Sequence, residues 1–91
     1  LGLLGQLTCC MLRASGVKVL GIDVNEDMVS MARQNSADLA LLRNEPGIEG
    51  TIDQFTQGLG CDAVIITAAT SSLDPINFAG NLARKKGTIV I

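Results

Sequence analysis

Short apolar, β-branched runs alternate with stretches of helical apolar spacing along the whole chain, and this limits the fold more than any other feature. A parallel strand covered on both faces reads as an unbroken apolar run. Its crossover to the next strand is a helix with one apolar stripe. Residues 17–22, 39–42, 63–67 and 88–91 read as such strands. In residues 4–15, Leu4, Leu7, Met11 and Ala14 fall at helical spacing, with Thr8 and Leu12 widening the stripe and Gly16 as the stop. Asn25 is the N-cap of a second helix running to about Asn35, with Glu26 and Asp27 in its first turn. Residues 44–47 (Asn-Glu-Pro-Gly) signal a turn. Ile48, Ile52, Phe55 and Leu59 then define a third helix, closed by Gly58 and Gly60. Asp74-Pro75 opens a fourth, with Ile76, Ala79, Leu82 and Ala83 inward, Arg84, Lys85 and Lys86 in the last turn, and Gly87 as the stop. The order predicts an α/β fold with a doubly wound parallel sheet. Such a sheet opens on a strand, whereas this chain opens on a helix and stops within a strand. The sheet is therefore expected to be incomplete, with its first and last strands missing, and the 91 residues are expected not to fold stably alone.

The residue inventory narrows the chemistry. The chain has no His, so a Ser-His-Asp triad, a Cys-His dyad and a His-ligated metal are all excluded from it. Two Phe, with no Trp or Tyr, give no stacking platform for single-stranded nucleic acid. The net charge is −2 and the sole basic run is residues 84–86, so no nucleic-acid partner is expected. Three cysteines, two of them adjacent (Cys9, Cys10, Cys61), match no metal or redox spacing and read as small packing residues in a reducing compartment. No apolar stretch is long enough to span a membrane, and the opening residues lack the basic region of a secretory signal. The expected setting is cytoplasmic.

Gly2 and Gly5 stand immediately before the first helix and fit the second and third glycines of G-x-G-x-x-G. The second glycine lets a pyrophosphate approach the backbone, and the third lets the helix pack closely on a strand. The free N–H groups of the helix N-terminus then face the phosphate oxygens. Asp23 ends the second strand of the expected sheet, 21 residues after Gly2, where a carboxylate accepts hydrogen bonds from ribose hydroxyls and repels a 2′-phosphate. No Arg follows in Val24-Asn25-Glu26, which favours NAD over NADP. Thr67, Ala68, Ala69 and Thr70, followed by Ser71 and Ser72, supply small residues at the carboxyl end of the clearest strand, where a ligand crevice lies in such folds. Gly2, Leu3, Leu4, Gly5, Asp23, Val24, Thr67, Ala68, Ala69 and Thr70 are thus the candidate cofactor-binding residues. No catalytic or metal-ligating residue is expected. Glu49 and Asp53 share a helix face but read as solvated, Met28 and Met31 as core, and Arg33 as a surface charge.

Residues 1–5 (Leu-Gly-Leu-Leu-Gly), the Gly21-Ile22-Asp23 strand end, Ala37-Asp38 and the run Phe55-Thr56-Gln57-Gly58-Leu59-Gly60-Cys61-Asp62-Ala63-Val64-Ile65 resemble the cofactor domain of medium-chain dehydrogenases/reductases, the zinc-type alcohol dehydrogenase relatives. The resemblance covers essentially the whole chain. Its most specific part is Thr-x-Gly-x-Gly-x-Asp (residues 56–62). It implies a six-stranded Rossmann domain of which residues 1–91 hold the second to fifth strands. It also implies NAD(P)(H) on the backbone of Leu3, Leu4 and Gly5, the ribose at Asp23, and the nicotinamide half near Thr67, Ala68 and Ala69. A separate GroES-like domain would carry any zinc and the alcohol or carbonyl substrate, in a homo-oligomer. Ser36 stands where the family usually has Gly, and Met28 where many members carry Lys. The Ala68-Ala69-Thr70 version, with Asp74-Pro75 after it, is also similar to the dehydrogenase half of two-domain bacterial oxidoreductases.

The leading expectation is the cofactor-binding part of an NAD(H)-dependent oxidoreductase acting on an alcohol or carbonyl. Its rival is a nucleotide-sensing regulatory domain of a transport system, which shares the glycine turn, the acidic residue and the apolar strand. A third possibility is a Rossmann-like domain that binds no nucleotide.

Overall fold

The computed structural model of the chain describes residues 1–67 and 74–90. The element order is α1 (Leu3–Ala14), β1 (Leu20–Asp23), α2 (Glu26–Asn35), β2 (Leu39–Leu42), α3 (Ile48–Phe55), β3 (Cys61–Ile65), α4 (Asp74–Leu82) and β4 (Ala83–Val90). Two compact units divide the chain, Leu1–Pro46 and Gly47–Ile91. Each carries one two-stranded parallel ladder, β1–β2 and β3–β4. The ladders therefore match the expected incomplete α/β fold.

In the first unit, β1 and β2 run in register from Leu20 opposite Leu39 to Asp23 opposite Leu42. Their short apolar runs are covered by α2, whose start is dictated locally: the Asn25 side chain accepts hydrogen bonds from the N–H groups of Asp27 and Met28. The core gathers Cys9, Val19, Val29, Ala32, Ala37 and Ala40, with Leu1, Leu12 and Leu42 packed against it. This corrects the expected inner face of α1. Gly5 and Cys9 are buried, while Leu4, Leu7 and Met11 are 65 %, 52 % and 71 % exposed. Gly5 and Cys9 face the core with Leu12 packed beside them, and the larger Leu4, Leu7 and Met11 do not. Cys10 is exposed rather than packed, and Met31 is 48 % exposed rather than core. Arg33 is more than a surface charge: its Nη2 donates to the Ala40 carbonyl at 2.9 Å, tying the end of α2 to β2.

In the second unit, Ile48 and Ile52 are the buried positions of α3. The Thr-x-Gly-x-Gly-x-Asp run turns the chain from this helix into β3. Thr56 Oγ1 accepts from the Gly60 N–H at 3.2 Å. Gln57, Gly58 and Gly60 take positive φ values of 57°, 78° and 80°. Asp62 then meets Arg84 across the ladder at 2.6 Å. The most family-specific motif is thus a structural turn.

The fourth helix is shorter than expected. It ends at Leu82, with Phe78 and Ala79 buried and Ile76 40 % exposed. Arg84, Lys85 and Lys86 lie in β4, not in a last helical turn, and Gly87 does not stop a helix. Ala83 already pairs with Cys61, and the ladder resumes at Thr88 opposite Ala63, so the basic residues form an irregularity between them. Strand pairing overrides the local helix-end signal. Gly87 is needed there for closeness: a Cβ would stand 3.0–3.2 Å from the carbonyl oxygens of Arg84, Cys61 and Asp62.

Candidate functional site

The first unit brings together the amino end of α1 and the carboxyl end of β1. Gly2 is the N-cap of α1, extended in backbone and without a side-chain cap. The first helical bond runs from the Gln6 N–H to the Gly2 carbonyl at 2.9 Å. The N–H groups of Leu3, Leu4 and Gly5 precede it and have no acceptor within the helix. Leu3 and Leu4 are 79 % and 65 % exposed at this end of the helix, and Gly5 is buried. A Cβ built on Gly2 meets nothing within 4 Å, so the space before the loop is clear.

Asp23 closes β1 beside this loop. Its Oδ2 accepts from the Leu1 amine at 2.6 Å, and its Oδ1 from the Asn25 N–H at 2.8 Å. Burial pushes its carboxyl up, but the hydrogen bonds from the Leu1 amine and from the Asn25 and Val24 N–H groups outweigh this, and the net direction is down. The carboxylate is therefore ionised at neutral pH. Val24, next along, is 80 % exposed.

Gln6 was not anticipated. Its Nε2 donates to the Leu1 carbonyl at 3.1 Å and to the Met28 carbonyl at 3.2 Å, and its Oε1 accepts from the Ser36 hydroxyl. No motif in the sequence marks it, because its contacts are with residues 22 and 30 positions away. Asp38, noted only as part of the family resemblance, accepts from the Val19 N–H at 2.7 Å.

In the second unit, Thr67 lies just past β3, half-buried. The ladder continues to Ile66, whose N–H donates to the Val90 carbonyl at 2.8 Å. Ala68, Ala69 and Thr70, with Ser71 and Ser72, lie outside the described residues. Glu49 and Asp53 line an open groove with Thr56, Gly60 and Asn81. Burial raises the thiol of Cys9, and burial with the Asp62 charge raises that of Cys61. Among the described residues no group of three or more His, Cys, Asp or Glu is placed to hold a metal ion. No helix among them is long and apolar enough to cross a membrane.

A search of the curated proteins finds no match to the chain. The family model described as zinc-binding dehydrogenase matches residues 4–91, which takes in the helix after the glycine loop, Asp23 and the whole of the Thr56–Asp62 turn. With nearly every residue inside that match, the chain belongs to the zinc-binding dehydrogenase family of oxidoreductases.

Proposed function

We propose that this chain holds NAD(H) for an oxidoreductase that interconverts an alcohol and a carbonyl compound. One observation carries the proposal: the Asp23 carboxylate stands beside the open amino end of α1. The free N–H groups of Leu3, Leu4 and Gly5 suit pyrophosphate oxygens, and the positive end of the helix favours that negative charge. Asp23 accepts from the two ribose hydroxyls and repels a 2′-phosphate, which favours NAD over NADP. Val24 offers an exposed apolar side chain next to Asp23, suited to the adenine ring.

When bound, the nicotinamide supplies the hydride acceptor or donor. The chain's own part is to bind and orient. We assign the nicotinamide half to Thr67, Ala68, Ala69 and Thr70 on residue type, a hydroxyl followed by small side chains. The chain has no histidine, and we assign the proton transfer, the substrate pocket and any zinc to another part of the protein. The described residues do not fit a zinc site, and no step here uses one. Membership of a dehydrogenase family supports this reading over a nucleotide sensor.

Titrating the protein with NADH, followed by the fluorescence of the nicotinamide, tests the proposal. Binding is expected, with at least a tenfold loss in Asp23→Ala, since a lost hydrogen bond to a charged group costs about 1.5–3 kcal/mol. Equal affinity in Asp23→Ala, or no binding of NADH or NADPH by the unchanged protein, overturns it.

A further inference from the structure

We infer that Gln6 is a positioning residue for the dinucleotide loop, with Ser36 holding its amide in place. The inference rests on the NAD(H) reading above and concerns how the loop is kept ready.

The Gln6 side chain joins three segments of the first unit. Its Nε2 donates to the Leu1 carbonyl, in the loop before α1, and to the Met28 carbonyl, in the first turns of α2. Two carbonyl oxygens on one side demand a donor there, so the amide oxygen is turned to the other side. On that side Ser36, at the carboxyl end of α2 and 1 % exposed, donates its hydroxyl to Oε1. The two carbonyls and the serine together fix the amide orientation, and the amide restrains the loop. Leu1 is adjacent to Gly2, so fixing the Leu1 carbonyl restricts the peptide that leads into the Leu3, Leu4 and Gly5 N–H groups. Gly2 itself has nothing within 4 Å of where a Cβ would be and supplies no packing restraint. Without Gln6 the loop keeps its sequence but loses a side-chain tether to α2, and binding must then order it.

This tether acts on the pyrophosphate, not on the adenosine. Asp23 Oδ2 meets the amine of Leu1, whose carbonyl Gln6 holds, but its Oδ1 is held separately by the Asn25 N–H, which keeps the carboxylate in place when Gln6 is lost. A merely structural role would weaken both halves of the ligand together.

The experiment measures binding of NADH, ADP-ribose and adenosine to the intact protein carrying Gln6→Leu, Ser36→Ala or both. NADH and ADP-ribose are expected to bind about tenfold more weakly to Gln6→Leu, and adenosine within twofold of the unchanged protein. Ser36→Ala is expected to shift the same two ligands in the same direction, and the double variant to be no worse than Gln6→Leu alone. Circular dichroism confirms that each variant folds, and Ser36→Ala carries the test if Gln6→Leu does not. A parallel loss of adenosine, or unchanged NADH affinity, overturns the inference. Failure of the unchanged protein to bind NADH or ADP-ribose instead overturns the NAD(H) reading, and this inference with it.

Discussion

Asp38 and Val19 exchange hydrogen bonds: Asp38 Oδ2 accepts from the Val19 N–H at 2.7 Å, and the Val19 carbonyl accepts from the Asp38 N–H at 2.9 Å. The pair extends the β1–β2 ladder by one residue, using a side chain where the strand lacks a backbone partner. Val19 is 6 % exposed, so its N–H has no water to fall back on. Asp38→Ala is expected to cost about 1–3 kcal/mol, the price of an orphaned buried donor. Asp38→Asn keeps an acceptor and should lose under about 1 kcal/mol. Arg13, 3.4 Å from Asp38 and largely exposed, adds little, so Arg13→Ala should change stability by less than about 0.5 kcal/mol. Urea unfolding of the three variants checks the order.

Gly60 combines two restraints. Its φ is +80°, and a Cβ would lie 3.0 Å from the backbone of Arg84. Gly60→Ala is expected to destabilise by roughly 2–4 kcal/mol, from left-handed strain plus overpacking against backbone that cannot yield. Gly80, inside α4, meets nothing within 4 Å. Gly80→Ala should stabilise by about 0.5–1 kcal/mol through helix propensity alone. Thermal melts of the two variants should therefore move in opposite directions.

How much of this was readable in the sequence depended on the range of the interaction responsible. The start of α2 was legible because its cap, Asn25, bonds to residues two and three positions on. The end of α4 was not. Arg84-Lys85-Lys86-Gly87 has the composition of a helix end, but Ala83 is drawn into pairing with Cys61, 22 residues earlier. The buried face of α1 was misread for a related reason. Apolar size pointed to Leu4, Leu7 and Met11, whereas Gly5 and Cys9 are the buried positions. Gly2, Gly5 and Asp23 stand out in the sequence by type and spacing, and the structure places them at the start of α1 and the end of β1. Gln6 and Ser36 do not stand out, since their roles arise only when distant segments meet.

The cysteines should separate by accessibility. Cys10 is exposed, whereas Cys9 is buried and burial raises the thiols of both Cys9 and Cys61. The thiolate is the reacting species, so both raised thiols are slowed at neutral pH. Brief alkylation of the folded protein, read by peptide mass spectrometry, is expected to label Cys10 first. Early labelling of Cys9 would show that α1 separates from the core.

Asp23 also gives stability a pH dependence. Its carboxyl lies below the usual value in the folded chain, where an unfolded aspartate titrates near about 3.9. Its contribution is therefore complete above that unfolded value and is lost as pH falls through the lower folded one. Asp23→Asn removes the titration. The urea midpoint of the unchanged protein should drop more steeply on acidification below about pH 4 than that of Asp23→Asn. Parallel acid limbs would show that the Asn25 N–H does not hold the carboxylate in solution.

The same substitution separates the two dinucleotides. Asp23 carries a full negative charge beside the proposed ribose position, and its repulsion of a 2′-phosphate is electrostatic. Its hydrogen bonds to the hydroxyls depend on acceptor geometry as well. Asn at this position keeps one carbonyl acceptor and removes the charge. NADH affinity is therefore expected to fall about tenfold in Asp23→Asn, the loss of a charge-assisted hydrogen bond. NADPH affinity should hold or rise, so the preference for NADH narrows by at least that factor. Fluorescence titrations with both dinucleotides check this at two salt concentrations. The NADPH penalty of the unchanged protein should shrink at the higher salt, because ions screen the repulsion between the two like charges at this part-buried edge. A preference that survives Asp23→Asn intact would place the discrimination elsewhere in the protein.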